Sequence, residues 1–390
     1  MTELFTEQKL KQEFPLTERF LYFNSASIGI IPERSIKRME DFLQRYRNTD
    51  LAHDAETFIM IDRLRANLER LIGGESGTVC LVPNTSVGIN IISSGFPWKT
   101  GDRILLGNLE FPANTYPWSS CKRLGVEIDW LDMDSGEITP EMVEMAINEQ
   151  TRLLAISSVQ FSDGYRTDLE AISKVCRKHD VFLFVDGIQS AGALKIDVIR
   201  SGIDAFASGG QKHMLSPYGT GFLYVSPRAM RLIVQAYDGW LAHFLIEEDF
   251  LDMLRHNMPI GKTARKYEVG SLPYQSLWSM DASVSMMLDF GKEAIETHNV
   301  GLAAHFCNRV EEIRGIKLFS KRATRASSHI VSVSSPFAPE LYIRLKARGI
   351  ICSLREERLR WAFHIYNTIF QIDRAVDIIK EEIEAIEKGE

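Results

Sequence analysis

Between Glu56 and Gly73 the apolar residues Phe58, Ile61, Leu64, Leu68 and Leu71 return at helical spacing, and the Gly73-Gly74 pair ends the run. This predicts an amphipathic helix. Downstream the period changes. The stretches VCLVP, RILLGN, VEIDWLDM, TRLLAISSV, FLFVD, AFASGG and GFLYVS alternate with helical patterns that begin near Gly88, near Asn114 and at about Asp168. Mostly apolar strands separated by helix-length segments predict a largely parallel sheet covered on both faces. Right-handed crossovers then gather the connecting loops along one edge of that sheet.

Past Gly270 the style of the chain differs. A long apolar helix (Leu277 to Phe290) and another around Ala303 to Ile313 are followed by the short strands KLFS, HIVSVS, ICSL and RWAFHI. The last helix, Ile372 to Lys388, is amphipathic, with a charged and solvated side. The expected class is α/β, with a mostly parallel seven-stranded sheet in a large domain and a smaller α+β domain at the C-terminus. The expected division is an N-terminal segment (1–30) against the small domain, a large domain (31–270) and a small domain (271–390). No Pro/Ser-rich linker separates the halves, so the domains should pack rather than hang on a tether.

Composition narrows the function. The 390 residues are 45% apolar and 25% charged, enough for a large core and two domains. The longest apolar runs, around 153–159 and 181–185, fall far short of the ~20 residues of a membrane helix. The opening MTELFTEQKLKQEFP lacks the apolar core of a secretion signal, so the cytoplasm is the expected location. Five cysteines stand without C-x-x-C spacing, which argues against a disulfide framework or a zinc site. A net charge of -7 leaves no basic surplus for a phosphate backbone, so the expected partner is a small molecule rather than nucleic acid or membrane.

The candidate chemistry begins with FLFVDGIQS and SGGQKHMLSPYGTGF. Asp186 ends an apolar strand, where open α/β sheets place their ligands. Lys212 follows the next strand between flexible glycines, a setting in which desolvation frees a neutral amine for imine formation. A strand-end carboxylate and such a lysine are suited to pyridoxal 5'-phosphate, with Asp186 keeping the pyridine ring protonated as an electron sink. Gln189, one turn on, reaches toward the cofactor's phenolic oxygen. NTSVGIN puts the hydroxyls of Thr85 and Ser86 at a helix N-terminus, a phosphate cradle. In EFPANTYPW, Phe111 can stack on the ring and Asn114 supplies polar support. Arg360, a charge inside a strand, is either an edge-strand arginine in a structural ion pair or, beside such a cofactor, the natural grip for a substrate carboxylate, with Arg355 the weaker candidate. His213 and His364 read as structural.

Together these segments resemble the class V aminotransferase group of fold-type I pyridoxal-phosphate enzymes, which includes cysteine desulfurases, kynureninase and isopenicillin N epimerase-like proteins. The resemblance runs from YFNSASIGIIP through NTSVGIN, EFPAN, SSVQFSDGYRTDL and VDGIQSAGALKIDV to HIYNT. It implies that Lys212 carries the cofactor, Asp186 partners the pyridine nitrogen, Gln189 binds the phenolic oxygen, Phe111 stacks and Arg360 binds the carboxylate. It adds Gln160 as a cofactor contact. It also assigns Gly270 and Ser271, in YEVGSLPY, to the phosphate of the neighbouring subunit's cofactor, which implies a homodimer with shared active sites. Where many relatives have Ser-x-His before the lysine, this chain has Gln211, with Ser208 one place earlier. Desulfurases carry a reactive cysteine on an extended loop before the arginine, whereas here only REERL joins ICSL to Arg360, which disfavours a persulfide mechanism. The implied activity is a class V aminotransferase acting on a small amino acid. A C–S or other β-lyase, or an epimerase, is the alternative.

Overall fold

The computed structural model describes residues 6–49, 55–133, 137–243, 254–320 and 328–389. After a two-residue strand β1 (Leu21–Tyr22) come β2 (Val79–Leu81), β3 (Arg103–Gly107), β4 (Glu127–Leu131), β5 (Thr151–Ser157), β6 (Phe182–Asp186), β7 (Ala205–Gly209) and β8 (Gly221–Val225). The last seven form one sheet in the order β2-β8-β7-β6-β5-β3-β4. Only β8 runs against its neighbours, so the C-terminal ends of the other six face one edge. Strands β6, β7 and β8 are buried at every position, as their unbroken apolar runs require. The mixed pattern of VEIDWLDM has a different cause: β4 is an edge strand. Arg103 on β3 binds its Glu127 and Asp129, and Trp130 stays half exposed.

Local chemistry explains where the predicted helices begin. The helix expected near Gly88 starts at Thr85, because the Asn84 side chain accepts from Val87 N at 3.0 Å and caps it. Gly88 is needed there, since a Cβ would lie 2.9 Å from that of Ala207 on β7. The helix expected from Asn114 is broken into a 3-10 turn Pro112–Asn114, a short helix Tyr116–Ser119 and a second 3-10 turn Ser120–Leu124. Pro112 and Pro117 cannot continue a helical ladder on their N-terminal sides.

Beyond the large sheet lie β9 (Lys317–Leu318), β10 (Ile330–Ser334), β11 (Ile350–Ile351), β12 (Ser353–Arg355) and β13 (Arg358–Ala362). Four of them form an antiparallel sheet, β12-β13-β10-β9, while β11 pairs with β1. Phe23, Phe306, Trp361 and Phe363 fill the core between this sheet and the helices Lys292–Val310 and Ile369–Lys388. The apolar helix Tyr274–Phe290 goes elsewhere. Its Leu277, Trp278, Met280 and Val284 join the main core with the helices Glu33–Asn48 and Ala55–Ile72. No helix among the described residues is long and apolar enough to cross a membrane.

Candidate active site

The strand ends gather the chemistry. Asp186, last residue of β6, is 2% exposed, and its carboxylate accepts from Ile188 N at 2.9 Å. Burial pushes this carboxyl far above the usual carboxylate range, Glu110 pushes the same way, and Lys212 pulls back. Lys212 follows β7. Burial lowers its ammonium, Asp186 partly restores it, and the guanidinium groups of Arg360 and Arg355 lower it again. Its Nζ lies 5.5 Å from the centre of the Phe111 ring. That ring is 41% exposed and meets Phe161 edge-on at 5.2 Å. On the other side of the lysine backbone Gly29 donates to Gln211 O, so close that a Cβ would collide with Lys212 O.

A buried carboxylate organises the floor. Glu110 accepts from Asn114 Nδ2 at 3.0 Å, Ser157 N at 2.7 Å, Gln160 Nε2 at 2.7 Å and the Ser157 hydroxyl. Burial raises its carboxyl, and these donors oppose the rise. Asn114 is fully buried, and its other end accepts from Trp118 Nε1 at 3.0 Å. Its place is therefore support through Glu110. Gln160 is turned so that its Oε1 has no partner among the described residues.

At the opposite end the helix Thr85–Gly95 points its free N–H groups toward β7. Thr85 Oγ1 accepts from Gly209 N at 2.8 Å and keeps its own proton, and Ser86 is half buried beside it. Ser208 is fully buried on β7 with its hydroxyl on Gly209 O at 3.2 Å, and Gln211 is partly exposed on the same loop. Gln189 donates to Ala26 O at 3.2 Å and meets His213 Nε2 at 2.9 Å.

Arg360, on β13, is 3% exposed. Its Nη1 donates to Phe161 O at 2.7 Å, Nη2 to Ser27 Oγ at 2.8 Å and Nε to Ser353 Oγ at 3.2 Å. All three partners are neutral. Burial and the nearby Arg355 drop its pKa to about 10, still charged at neutral pH. A buried guanidinium held only by neutral groups retains its attraction for an anion. Arg355 itself is exposed, two places along the β12–β13 ladder on the same face. Gly270 and Ser271 sit ahead of the helix Tyr274–Phe290, Ser271 exposed, and make no hydrogen bond to these groups among the described residues. Cys352 is buried, with its thiol pushed up to about 12.

The structure thus brings Asp186, Lys212, Phe111, Gln160, Gln189, Thr85 and Arg360 to one sheet edge. The residues the sequence left unassigned are Glu110, Ser157, Ala26, Ser27 and Gly29. Glu110 carried a signal, an acidic residue beside the candidate Phe111 at the end of an apolar strand; small residues such as Ser27 carry none. The set fits a pyridoxal phosphate: a desolvated lysine, a buried carboxylate lacking a fixed cation for a ring N–H, and unpaired helix amides for a phosphate.

Comparison with known proteins agrees with this geometry. The family described as Aminotransferase class-V matches residues 21–374. The uncharacterized aminotransferase YcbU of Bacillus subtilis is 25% identical over 95% of this chain and 97% of its own. A probable cysteine desulfurase of Borreliella burgdorferi is 26% identical over 97% of this chain and 96% of its own. Among solved structures, the apo cysteine desulfurase of Thermococcus onnurineus superposes with a TM-score of 0.87 at 18% identity, covering 97% of this chain and 98% of its own. A cystine C-S lyase in complex with its product cysteine persulfide gives 0.85 at 21% identity, covering 94% and 99%. These two share the fold.

Proposed function

The chain belongs to the class-V aminotransferase family, and from that premise we propose that it is a pyridoxal-phosphate enzyme transferring the amino group of a small amino acid. The observation that carries the reading is the buried Asp186 interacting electrostatically with the half-buried Lys212, beside a buried Arg360 whose hydrogen-bond partners are all neutral. When bound, the cofactor supplies an electron sink conjugated to the substrate amine. The protein supplies the rest. Lys212, its ammonium weakened by burial, provides a neutral amine that binds the cofactor and afterwards holds or moves a proton at the substrate Cα. Asp186 would hold the proton on a pyridine nitrogen placed beside its carboxylate. Arg360 grips the α-carboxylate and thereby turns the Cα–H bond toward Lys212. Phe111 covers the ring face and excludes water.

Thr85, Ser86, Ser208 and Gln211 stand for the phosphate, with Gly270 and Ser271 serving a neighbouring subunit's phosphate in a homodimer of the cytoplasm. Gln160 and Gln189 flank the ring. A second reading, β-elimination with loss of a sulfur substituent, rests on the edge-on Phe111–Phe161 pair beside Arg360 and on the likeness to desulfurase relatives. Reduction of the loaded protein with borohydride, followed by peptide mapping, is expected to fix the pyridoxyl mass on Lys212; a label on another lysine, or none, overturns the reading. Amino acids are then compared for keto-acid-dependent exchange against release of pyruvate, ammonia and sulfide.

A further inference from the structure

Three histidines lie behind Lys212, each fully buried: His213, His329 and His364. Their hydrogen bonds fix where the protons sit. Ile365 N donates to His364 Nδ1 at 2.9 Å, so the proton of His364 is on Nε2, which donates to His213 O at 2.9 Å. The Gln189 amide facing Ala26 O at 3.2 Å must be its NH2 end, because a carbonyl only accepts. Its oxygen is therefore the atom that meets His213 Nε2 at 2.9 Å, and His213 must donate. His329 Nε2 stands 3.3 Å from the same nitrogen with its ring edge-on, and serves as a second acceptor for that N–H. His213 Nδ1 and His329 Nδ1 have no partner among the described residues. Burial and the neighbouring His329, His364, Lys212 and Arg360 hold His213 neutral.

From this chain of contacts we propose that His213 is a positioning residue. Its Nε2–H anchors the Gln189 oxygen, so that Gln189 presents an N–H rather than a C=O to the cofactor's phenolic oxygen. The inference rests on the cofactor reading above and deepens it. A free amide rotates between its two faces, and one face repels the phenolate while the other stabilises it. Ala26 O holds the NH2 end and His213 the oxygen end, and together they remove the choice. One N–H of Gln189 is spent on Ala26, and the second is left for the ring oxygen.

The test uses the protein loaded with pyridoxal phosphate at one fixed pH. His213→Leu is expected to shift the ratio of the yellow to the colourless absorption band by about tenfold, the size of one lost hydrogen bond to a charged oxygen. His213→Gln, whose Nε2 replaces the ring N–H, restores most of the ratio. On a Gln189→Leu background, His213→Leu shifts nothing further. In wild type, ¹⁵N spectra of ring-labelled histidine place the His213 proton on Nε2. A folded, loaded His213→Leu protein with an unchanged spectrum overturns the proposal, as does a proton on Nδ1. Should His213→Leu not fold, the His213→Gln spectrum and the nitrogen shifts decide. Wild-type protein that never takes up colour sinks the cofactor reading instead, and the nitrogen measurement still reports the tautomer.

Discussion

Arg360 Nη2 donates to the Ser27 hydroxyl at 2.8 Å across 333 residues of sequence, and through that contact the small antiparallel sheet meets the N-terminal segment that abuts Lys212. The guanidinium is thus aimed by neutral groups and keeps its charge for a ligand. Replacing it removes a charge-assisted pair worth about 1.5–3 kcal/mol, so Arg360→Ala should raise KM for the amino acid by about tenfold to a hundredfold. Arg360→Lys should recover only part, since an ammonium cannot reproduce the fork that reaches Ser27, Phe161 O and a carboxylate together. Steady-state kinetics decide; an unchanged KM removes Arg360 from substrate binding.

Lys212→Ala is expected to abolish turnover while leaving the fold intact. The lysine side chain makes no hydrogen bond among the described residues, and removing a desolvated amine from beside Asp186 relieves as much as it costs. The variant should still bind cofactor reversibly through the phosphate end. Circular dichroism and the rate of product formation separate the two effects, and residual activity near wild type would falsify the assignment.

Much of this arrangement is legible in the amino-acid sequence. Asp186 and Arg360 each break a local rule, a charge at the end of or inside an apolar strand, Lys212 stands in a glycine-rich loop just after one, and such features are visible in one dimension. The partners were not. Ser27 and Ala26 contribute one hydroxyl and one carbonyl, features any segment has, and the parallel pairing of β1 with β11 and the Asn24–Ala362 bridge carry them to the site. His213 looked structural because the residues it touches, Gln189 and His329, lie on two other elements. The helix expected from Asn114 failed for a local reason, prolines at 112 and 117, which periodicity alone underweights.

Glu110 is the next test. Its two carboxylate oxygens receive four donors, from Asn114, Gln160 and both groups of Ser157. Glu110→Gln replaces one acceptor with an NH2 that faces donors, leaving buried N–H groups unpaired. The expected cost is about 1–3 kcal/mol in denaturant unfolding. Because the Glu110 charge also raises Asp186, the same variant should lower the Asp186 pKa. Unchanged stability would show that water replaces the carboxylate in this network.

The histidine cluster sets an acid limb. Burial holds His213 and His329 well below the ordinary imidazole value and His364 near 3. An unfolded histidine titrates near ~6.5, so below that pH the unfolded chain binds protons that the folded chain refuses, and stability falls as pH drops. Asp186 and Glu110, raised by burial, act in the opposite sense over part of the range, so the clean measurement is a difference between proteins. Around His329 stand His213, His364 and Arg166. His329→Asn should reduce the loss of stability below about pH 6.5 by roughly one proton, about 1.4 kcal/mol per pH unit at most. Parallel acid limbs for the two proteins would mean that His329 is protonated in the folded state.

The fate of sulfur, if the substrate carries any, is decided at Cys352. A thiolate that accepts sulfur must be exposed, low in pKa and carried on a segment long enough to reach the substrate. Cys352 is buried in the core of the small sheet, burial pushes its thiol up to about 12, and the β12–β13 hairpin beside it turns through only Glu356 and Glu357. The other four cysteines are buried as well. Cys352→Ala should therefore leave turnover within about twofold, because an inert buried thiol takes no part in the chemistry. Any sulfur removed from cysteine should leave as a free product rather than remain on the protein. Assay of sulfide in solution against protein-bound persulfide reads both points. Loss of most activity in a folded Cys352→Ala protein would require the hairpin to open and the thiol to enter the cleft.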